Sequence, residues 1–242
     1  MRGFFLALQF LTRLPTPAVR GFQAEDLARS AAWFPAVGLL LGALLALVGF
    51  AVQGFDPWLA ALLTLIAWVW LTGGLHLDGL ADTFDALGAA HRDRERFLQV
   101  LSDPHVGSFG VIALVLQLMA KLVLLGLAFS HGISPWALLL IPAWARLGAL
   151  WWSQSLPPLK PGLGERFTWR AGRGLPLLWL GILFALSLPF AGLWLAPLIL
   201  VFWRHFLGAK IGGMTGDCLG AGVEVSEGLM LLAVVLGRML PL

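Results

Sequence analysis

Trp33–Val52 reads WFPAVGLLLGALLALVGFAV, twenty residues without a charge. As an α-helix rising 1.5 Å per residue, this run is about 30 Å long, the thickness of a bilayer's hydrocarbon core. The whole chain has this character. Of its 242 residues 59% are apolar and 12% charged, with a mean hydropathy of +0.87, whereas a soluble domain carries about 25% charged residues. Twelve Trp and no Tyr fit side chains gathered at bilayer interfaces. The composition predicts an all-α, polytopic membrane helix bundle, with residues 1–242 forming a single integral membrane domain. One cysteine, Cys218, excludes an internal disulfide and a paired-thiol metal site. No basic stripe interleaves with aromatics, so nucleic-acid binding has no support.

Further apolar runs follow at Trp58–Thr72, Phe109–Phe129, Trp136–Ser153, Leu175–Pro189, Leu193–Phe206 and Leu229–Leu242. About seven transmembrane helices are therefore expected. The N-terminal stretch 1–30 opens MRGFFLALQFLTRLPTP. Its apolar run is short and lacks a small-residue cleavage site, so it reads as an interfacial helix. The segments 1–30, 74–107, 157–174 and 204–224 hold 13 of the 16 Lys and Arg residues, and the turns 53–57, 130–135 and 189–192 hold none. That alternation predicts a multi-pass protein of the cytoplasmic (inner) membrane. The N-terminus and all four charged segments would face the cytoplasm.

The segment Gly73–Leu87, GGLHLDGLADTFDAL, places Asp78, Asp82 and Asp85 at i, i+4 and i+7. On a helix these fall within roughly 60° of arc. Like charges on one face repel, and a hard divalent ion bound by oxygen relieves them. Their neighbours Leu77, Leu80, Ala81, Phe84 and Leu87 are apolar, company in which acids mark a metal, proton or ion site. The acids Asp93 and Glu95, by contrast, alternate with Arg92, Arg94 and Arg96 and read as a solvated helix face. A second acid-bearing stretch, IGGMTGDCLGAGVEVSEG, holds Asp217, Glu224 and Glu227 among glycines 212, 213, 216, 220 and 222. Glycines let backbone N–H groups approach an anion. Acids for a metal beside a glycine-rich loop for phosphate make a kit for metal-assisted phosphoryl transfer, with loops 74–107 and 204–224 as its cytoplasmic parts.

His76 lies off the carboxylate face and, without partners at usable spacing, is a hydrogen-bonding rather than a zinc-binding candidate. Asp103 and His105 in LSDPHVGSFG read either as a cap and turn or as site residues. Lys121 and Arg146 lie within spans and are costly there unless paired. They would balance the acids or grip a diphosphate. Lys160, Arg166, Arg170 and Arg173 fit an orientation signal and anion capture equally well.

The motifs LQFLTRLPTP, WFPAVGLLLG, GGLHLDGLADTFDAL, DRERFLQVLSDPHVGSFG, MAKLVLL and GGMTGDCLGAGVEVSE run nearly end to end. Together they resemble the cobalamin synthase family, adenosylcobinamide-GDP ribazoletransferase. The chain departs at Ala86, where the family usually has Gly, and at Cys218, where Thr is usual. The resemblance implies a Mg²⁺-dependent membrane transferase joining adenosylcobinamide-GDP to α-ribazole, or its 5′-phosphate, with release of GMP. On that scheme Asp78, Asp82 and Asp85 hold Mg²⁺, and Asp217 or Asp103 takes the proton of the attacking hydroxyl. His76, Lys121, Arg146, Gly213, Thr215 and Glu224 contact substrate. Self-association, or a complex with other cobalamin-assembly enzymes, stays open.

Two other classes share parts of this pattern. CDP-alcohol phosphotransferases also place spaced aspartates on membrane helices, but need DGxxAR where this chain has DGLADT. A cation- or proton-coupled transporter predicts inverted repeats and charges at mid-bilayer, against acids gathered at one face.

Overall fold

The computed structural model describes residues 2–17, 19, 21, 23–90, 93–160 and 174–239. In chain order the helices are α1 (Arg2–Leu11), α2 (Ala24–Ser30), α3 (Phe34–Val52), α4 (Pro57–Thr72), α5 (Leu75–Ala90) and α6 (Arg94–Val100). They continue with α7 (Ser108–Ser130), α8 (Ala137–Ser155), α9 (Gly174–Leu186), α10 (Ala196–Lys210) and α11 (Gly216–Met239). No strand occurs among the described residues; one isolated bridge joins Pro158 to Met214. The protein is all-α and polytopic, as its composition predicts.

The span count differs from the expected seven. Among the described residues, four helical stretches are long and apolar enough to cross a membrane: Ala28–Val52, Ser108–Ser130, Ala191–Lys210 and Gly216–Met239. A fifth exists if α4 and α5, bent by 86° at their junction, count together. The run at 136–153 became α8, whose Leu138, Ile141, Trp144, Arg146 and Trp152 are all buried. Its 19 residues include Arg146, Ser153, Gln154 and Ser155, which leave it less apolar than the four stretches above. The run at 175–189 became α9, 13 residues long, about 20 Å at 1.5 Å per residue and short of a crossing. Segments 74–107 and 204–224, expected as loops, are largely helical, and the last span starts at Gly216 rather than Leu229.

Small residues set the closest helix contact. A Cβ on Gly38 would lie 2.5 Å from Ala143 Cα, and one on Gly42 would lie 2.3 Å from the Leu139 carbonyl oxygen. Gly38 and Gly42 thus form a small-xxx-small face that lets α3 lie backbone-to-backbone on α8. At the N-terminus α1 buries Leu6, Ala7, Leu8 and Leu11, and the Arg13 amide donates to the Leu71 carbonyl. That bond ties the N-terminal segment to the end of α4. The helix α4 begins with Asp56 accepting from the Leu59 amide at 2.7 Å and Pro57 in its first turn, a standard start. It ends at Gly73 and Gly74, with φ of 63° and 74°. Two successive left-handed residues turn the chain sharply into α5.

Candidate active site

Against the first turns of α7 and α11 lies the acid-bearing part of α5, outside the four spans. Gly79 makes this possible: a Cβ there would sit 2.7 Å from the Asp217 carbonyl oxygen, so α5 crosses α11 in close contact. Asp78 is exposed and Asp82 and Asp217 are half-buried, the three forming one acidic rim. Partial burial first, then the charges of Asp78, Asp217 and Asp85, push the Asp82 carboxyl up to about 6, with Lys160 opposing. A carboxyl raised this way is short of water first, and has three like charges against one cation second.

Lys160 reaches the rim through a short backbone clamp. The Leu159 amide donates to the Met214 carbonyl at 3.0 Å and the Met214 amide to the Pro157 carbonyl at 2.9 Å. This places Lys160 Nζ 3.4 Å from Asp217 Oδ2. The clamp also explains Gly213, where a Cβ would lie 2.4 Å from the Pro157 carbonyl oxygen. Gly220 faces His76 and Gly79, and Gly222 faces Trp203 and Trp152. Of the expected phosphate-binding glycines, Gly213 and Gly222 instead permit close packing, while Gly220 has room for a Cβ. Thr215 accepts from the Cys218 amide at 3.2 Å, capping the start of α11, and donates to Asp217 Oδ2 at 3.4 Å.

The structure separates Asp85 from Asp78 and Asp82. Its two oxygens accept from the Gly107 amide at 2.7 Å and the Gly110 amide at 2.8 Å. A carboxylate from α5 therefore satisfies the orphan donors at the N-terminus of α7 and complements its dipole. Glycine is required on both sides of that bond, since a Cβ on Gly107 or Gly110 would fall 2.5 or 2.2 Å from an Asp85 oxygen. The expected set Asp78, Asp82 and Asp85 is thus not one ligand cage. Among the described residues no three His, Cys, Asp or Glu side chains converge to hold a metal ion directly.

Asp103 stands apart as well. It is exposed and pairs with the His105 amide at 3.0 Å and ring at 2.7 Å. Those bonds hold its carboxyl below the usual carboxylate range.

Lys121, Arg146, Glu224 and His76 come together elsewhere, in a sealed network inside the bundle. Lys121 Nζ lies 2.6 Å from Glu224 Oε2 and 2.6 Å from Glu227 Oε2. Arg146 pairs with the other oxygen of Glu227, and its second terminal nitrogen lies 3.3 Å from His76 Nδ1. Gln117 donates to the Glu224 carboxylate at 3.1 Å, and Lys121 sits 4.4 Å from the Trp68 ring centroid. Arg146 and Glu227 have no exposed surface and Lys121 has 2%. Buried as they are, these residues join α5, α7, α8 and α11 to one another. Glu227 belongs to the second acid-bearing stretch, but the sequence alone assigns it no role. Its i, i+3 spacing from Glu224 on an apolar helix was the available signal. Arg166, Arg170 and Arg173 lie outside the described residues, as does Arg92.

The profile of the family described as cobalamin-5-phosphate synthase matches residues 3–235. A protein of Thiobacillus denitrificans named adenosylcobinamide-GDP ribazoletransferase is 58% identical over 96% of this chain and 94% of its own length. A Laribacter hongkongensis protein of the same name is 58% identical over 99% of both chains. One from Novosphingobium aromaticivorans is 49% identical over 98% of this chain and 97% of its own. No solved structure matches the chain. With the profile spanning almost every helix described above, including both acid-bearing stretches, the chain belongs to the cobalamin-5-phosphate synthase family.

Proposed function

We propose that the protein is an adenosylcobinamide-GDP ribazoletransferase. The observation that carries this reading is 58% identity, over almost the full length of both chains, to proteins of that name. In the reaction a hydroxyl oxygen of α-ribazole, or of its 5′-phosphate, bonds to the cobinamide-side phosphorus. The phosphoanhydride bond to GMP breaks, GMP leaves, and the hydroxyl proton passes to a carboxylate. Asp217 suits that last role, being half-buried on the acidic rim and oriented by Thr215 and Lys160. Asp103, held in its turn by His105, does not. Lys160 also offers a cation to the departing phosphate.

The rim fits a hard divalent cation such as Mg²⁺. Its donors are all carboxylate oxygens, and Asp82 is raised by partial burial and then by the charges of Asp78, Asp217 and Asp85. Mg²⁺ keeps several waters and needs only one or two carboxylates, which suits a rim without a closed three-acid cage. Asp78 and Asp82 would hold it, and it would neutralise diphosphate charge. Arg146 and Lys121, sealed against Glu224 and Glu227, support the site from beneath by fixing helix register. The positive-inside pattern supports a cytoplasmic membrane with the rim facing the cytoplasm.

The test is GMP release by purified, lipid-reconstituted protein given adenosylcobinamide-GDP and α-ribazole. Release is expected with Mg²⁺ and should disappear with excess chelator. No release under any divalent ion would overturn the assignment, and undiminished release under chelator would remove the cation.

A further inference from the structure

Between α8, α9 and α10 lies a groove of about 210 Å³ whose lining is apolar throughout. Leu147, Pro176 and Leu200 are buried in its floor. Leu177 of α9 and Val201 of α10 stand at its edges, 68% and 50% exposed. Of the 13 residues of α9 only Pro176 and Leu183 are buried, so the gap between α9 and α10 stays open to whatever surrounds the protein.

A cation stands at one end of this groove. Trp151 is part of the lining, and the Arg204 guanidinium lies 5.8 Å from its ring centroid, within cation–π range. On α10, Arg204 is one turn beyond Leu200 and Val201 and so shares their face. Ser155, at the end of α8, holds it there. Arg204 Nε donates to the Ser155 hydroxyl at 3.1 Å and Nη2 to the Ser155 carbonyl at 3.2 Å. A guanidinium has five N–H donors, and Ser155 takes two. Among the described residues no carboxylate pairs with Arg204. Two residues after Ser155, the Pro157 carbonyl enters the clamp that brings Lys160 to Asp217. The cationic end of the groove is therefore the end of the bundle that carries the acidic rim.

We propose that the groove is a specific site for one anionic phospholipid of the surrounding membrane. One acyl chain lies between Leu177 and Val201 against the apolar floor, and the phosphate sits on the remaining donors of Arg204. Trp151 marks the boundary between the two, the level at which Trp gathers in bilayers. The chemistry selects this occupant. A hydrocarbon chain alone has no use for the guanidinium, and a free phosphate has none for the groove. A zwitterionic headgroup sets its own cation beside Arg204, which repels it, whereas a glycerol headgroup leaves the phosphate charge uncompensated until Arg204 meets it. The proposal needs only the membrane-embedded fold and is independent of the reaction assigned above.

The test uses the purified full chain in detergent. Native mass spectrometry counts the phosphatidylglycerol and phosphatidylcholine retained from an equal mixture with identical acyl chains. Wild type should hold one phosphatidylglycerol about tenfold or more in preference to phosphatidylcholine. Arg204→Ala should bring that preference within about twofold, with the helical circular dichroism unchanged. Val201→Trp alters an exposed edge, so the fold tolerates it. It should fill the groove and lower retention of both lipids, which loss of the charge alone does not do. Inorganic phosphate should not displace the bound lipid. Equal retention of the two lipids by wild type, an undiminished preference in Arg204→Ala, or displacement by inorganic phosphate overturns the site. So does a dimer that Val201→Trp dissociates while lipid retention stays the same, since a second copy of the chain would then be the occupant.

Discussion

Along α11, Asp217 lies about 10–15 Å above Glu224 and Glu227, at 1.5 Å per residue, and the two ends of that stretch are treated in opposite ways. Lower down, two carboxylates meet two cations, Lys121 and Arg146, with almost no exposed surface. At the rim, Asp217 shares the company of Asp78 and Asp82 with Lys160 as the cation beside it. Charge that is balanced and buried has nothing left to offer a ligand and serves to align helices. Charge that is in surplus and half-exposed calls for a cation or a substrate from outside. The same residue types on the same helix are thus divided by burial and neutralisation into scaffold and chemistry.

The sharpest break of that contrast is at the rim. Asp82→Asn and Asp217→Asn should each cut GMP release by about 10²–10⁴-fold, the range for a positioned electrostatic or proton-accepting group. Thermal unfolding in detergent should move little, since both side chains are half-buried and Asp217's contacts to Thr215 and Lys160 are long, at 3.4 Å each. Near-normal release from either variant would take that carboxylate out of the reaction.

Next in size is the sealed network. Glu227→Ala leaves Arg146 without a carboxylate and Lys121 with one fewer, and should cost about 3–5 kcal/mol of stability. Replacing Lys121 by Met together with Glu224 by Gln should cost less than either change alone, because no unpaired charge remains. Equal or additive losses would show that the network does not act as a neutral unit.

A smaller effect is expected where the rim meets the scaffold. Asp85→Asn can no longer accept from both the Gly107 and Gly110 amides in charged form, at a cost of about 1–3 kcal/mol. Hydrogen exchange should quicken at the first turn of α7. Gly110→Ala should mimic it, because its Cβ would lie 2.2 Å from an Asp85 oxygen. An unaltered exchange pattern in both variants would remove Asp85 from the anchoring of α7.

Asp85 also marks where the sequence stops being legible. Its spacing put it on the same helical face as Asp78 and Asp82. Its partners, however, are amides 22 and 25 residues downstream, and only the tertiary fold brings them in. Glu224 and Glu227 are alike, bonded to a lysine more than 100 residues away. The run at Trp33–Val52 was readable because length and apolarity alone decide a crossing. The run that became α8 was harder to read, because Arg146 and the polar residues at its end lower its apolarity while Glu227, 81 residues away, pairs with that arginine. The glycines of 212–222 were read as a phosphate cradle because glycine permits close approach to any neighbour. In Gly213 and Gly222 that neighbour is this chain itself.

The smallest effect tests which acid takes the proton. Asp103 is exposed, and its bonds to the His105 amide and ring hold its carboxyl below the usual range. A group so stabilised in its ionised form is a weak proton acceptor, and its carboxylate is spent on a turn rather than aimed at the rim. Asp103→Asn keeps one amide-accepting oxygen, so the turn into α7 survives. GMP release should stay within about twofold of wild type, against the 10²–10⁴-fold that a working base contributes. A loss in that larger range, with Asp217→Asn nearly silent, would move the proton-accepting role from the rim to the turn before α7.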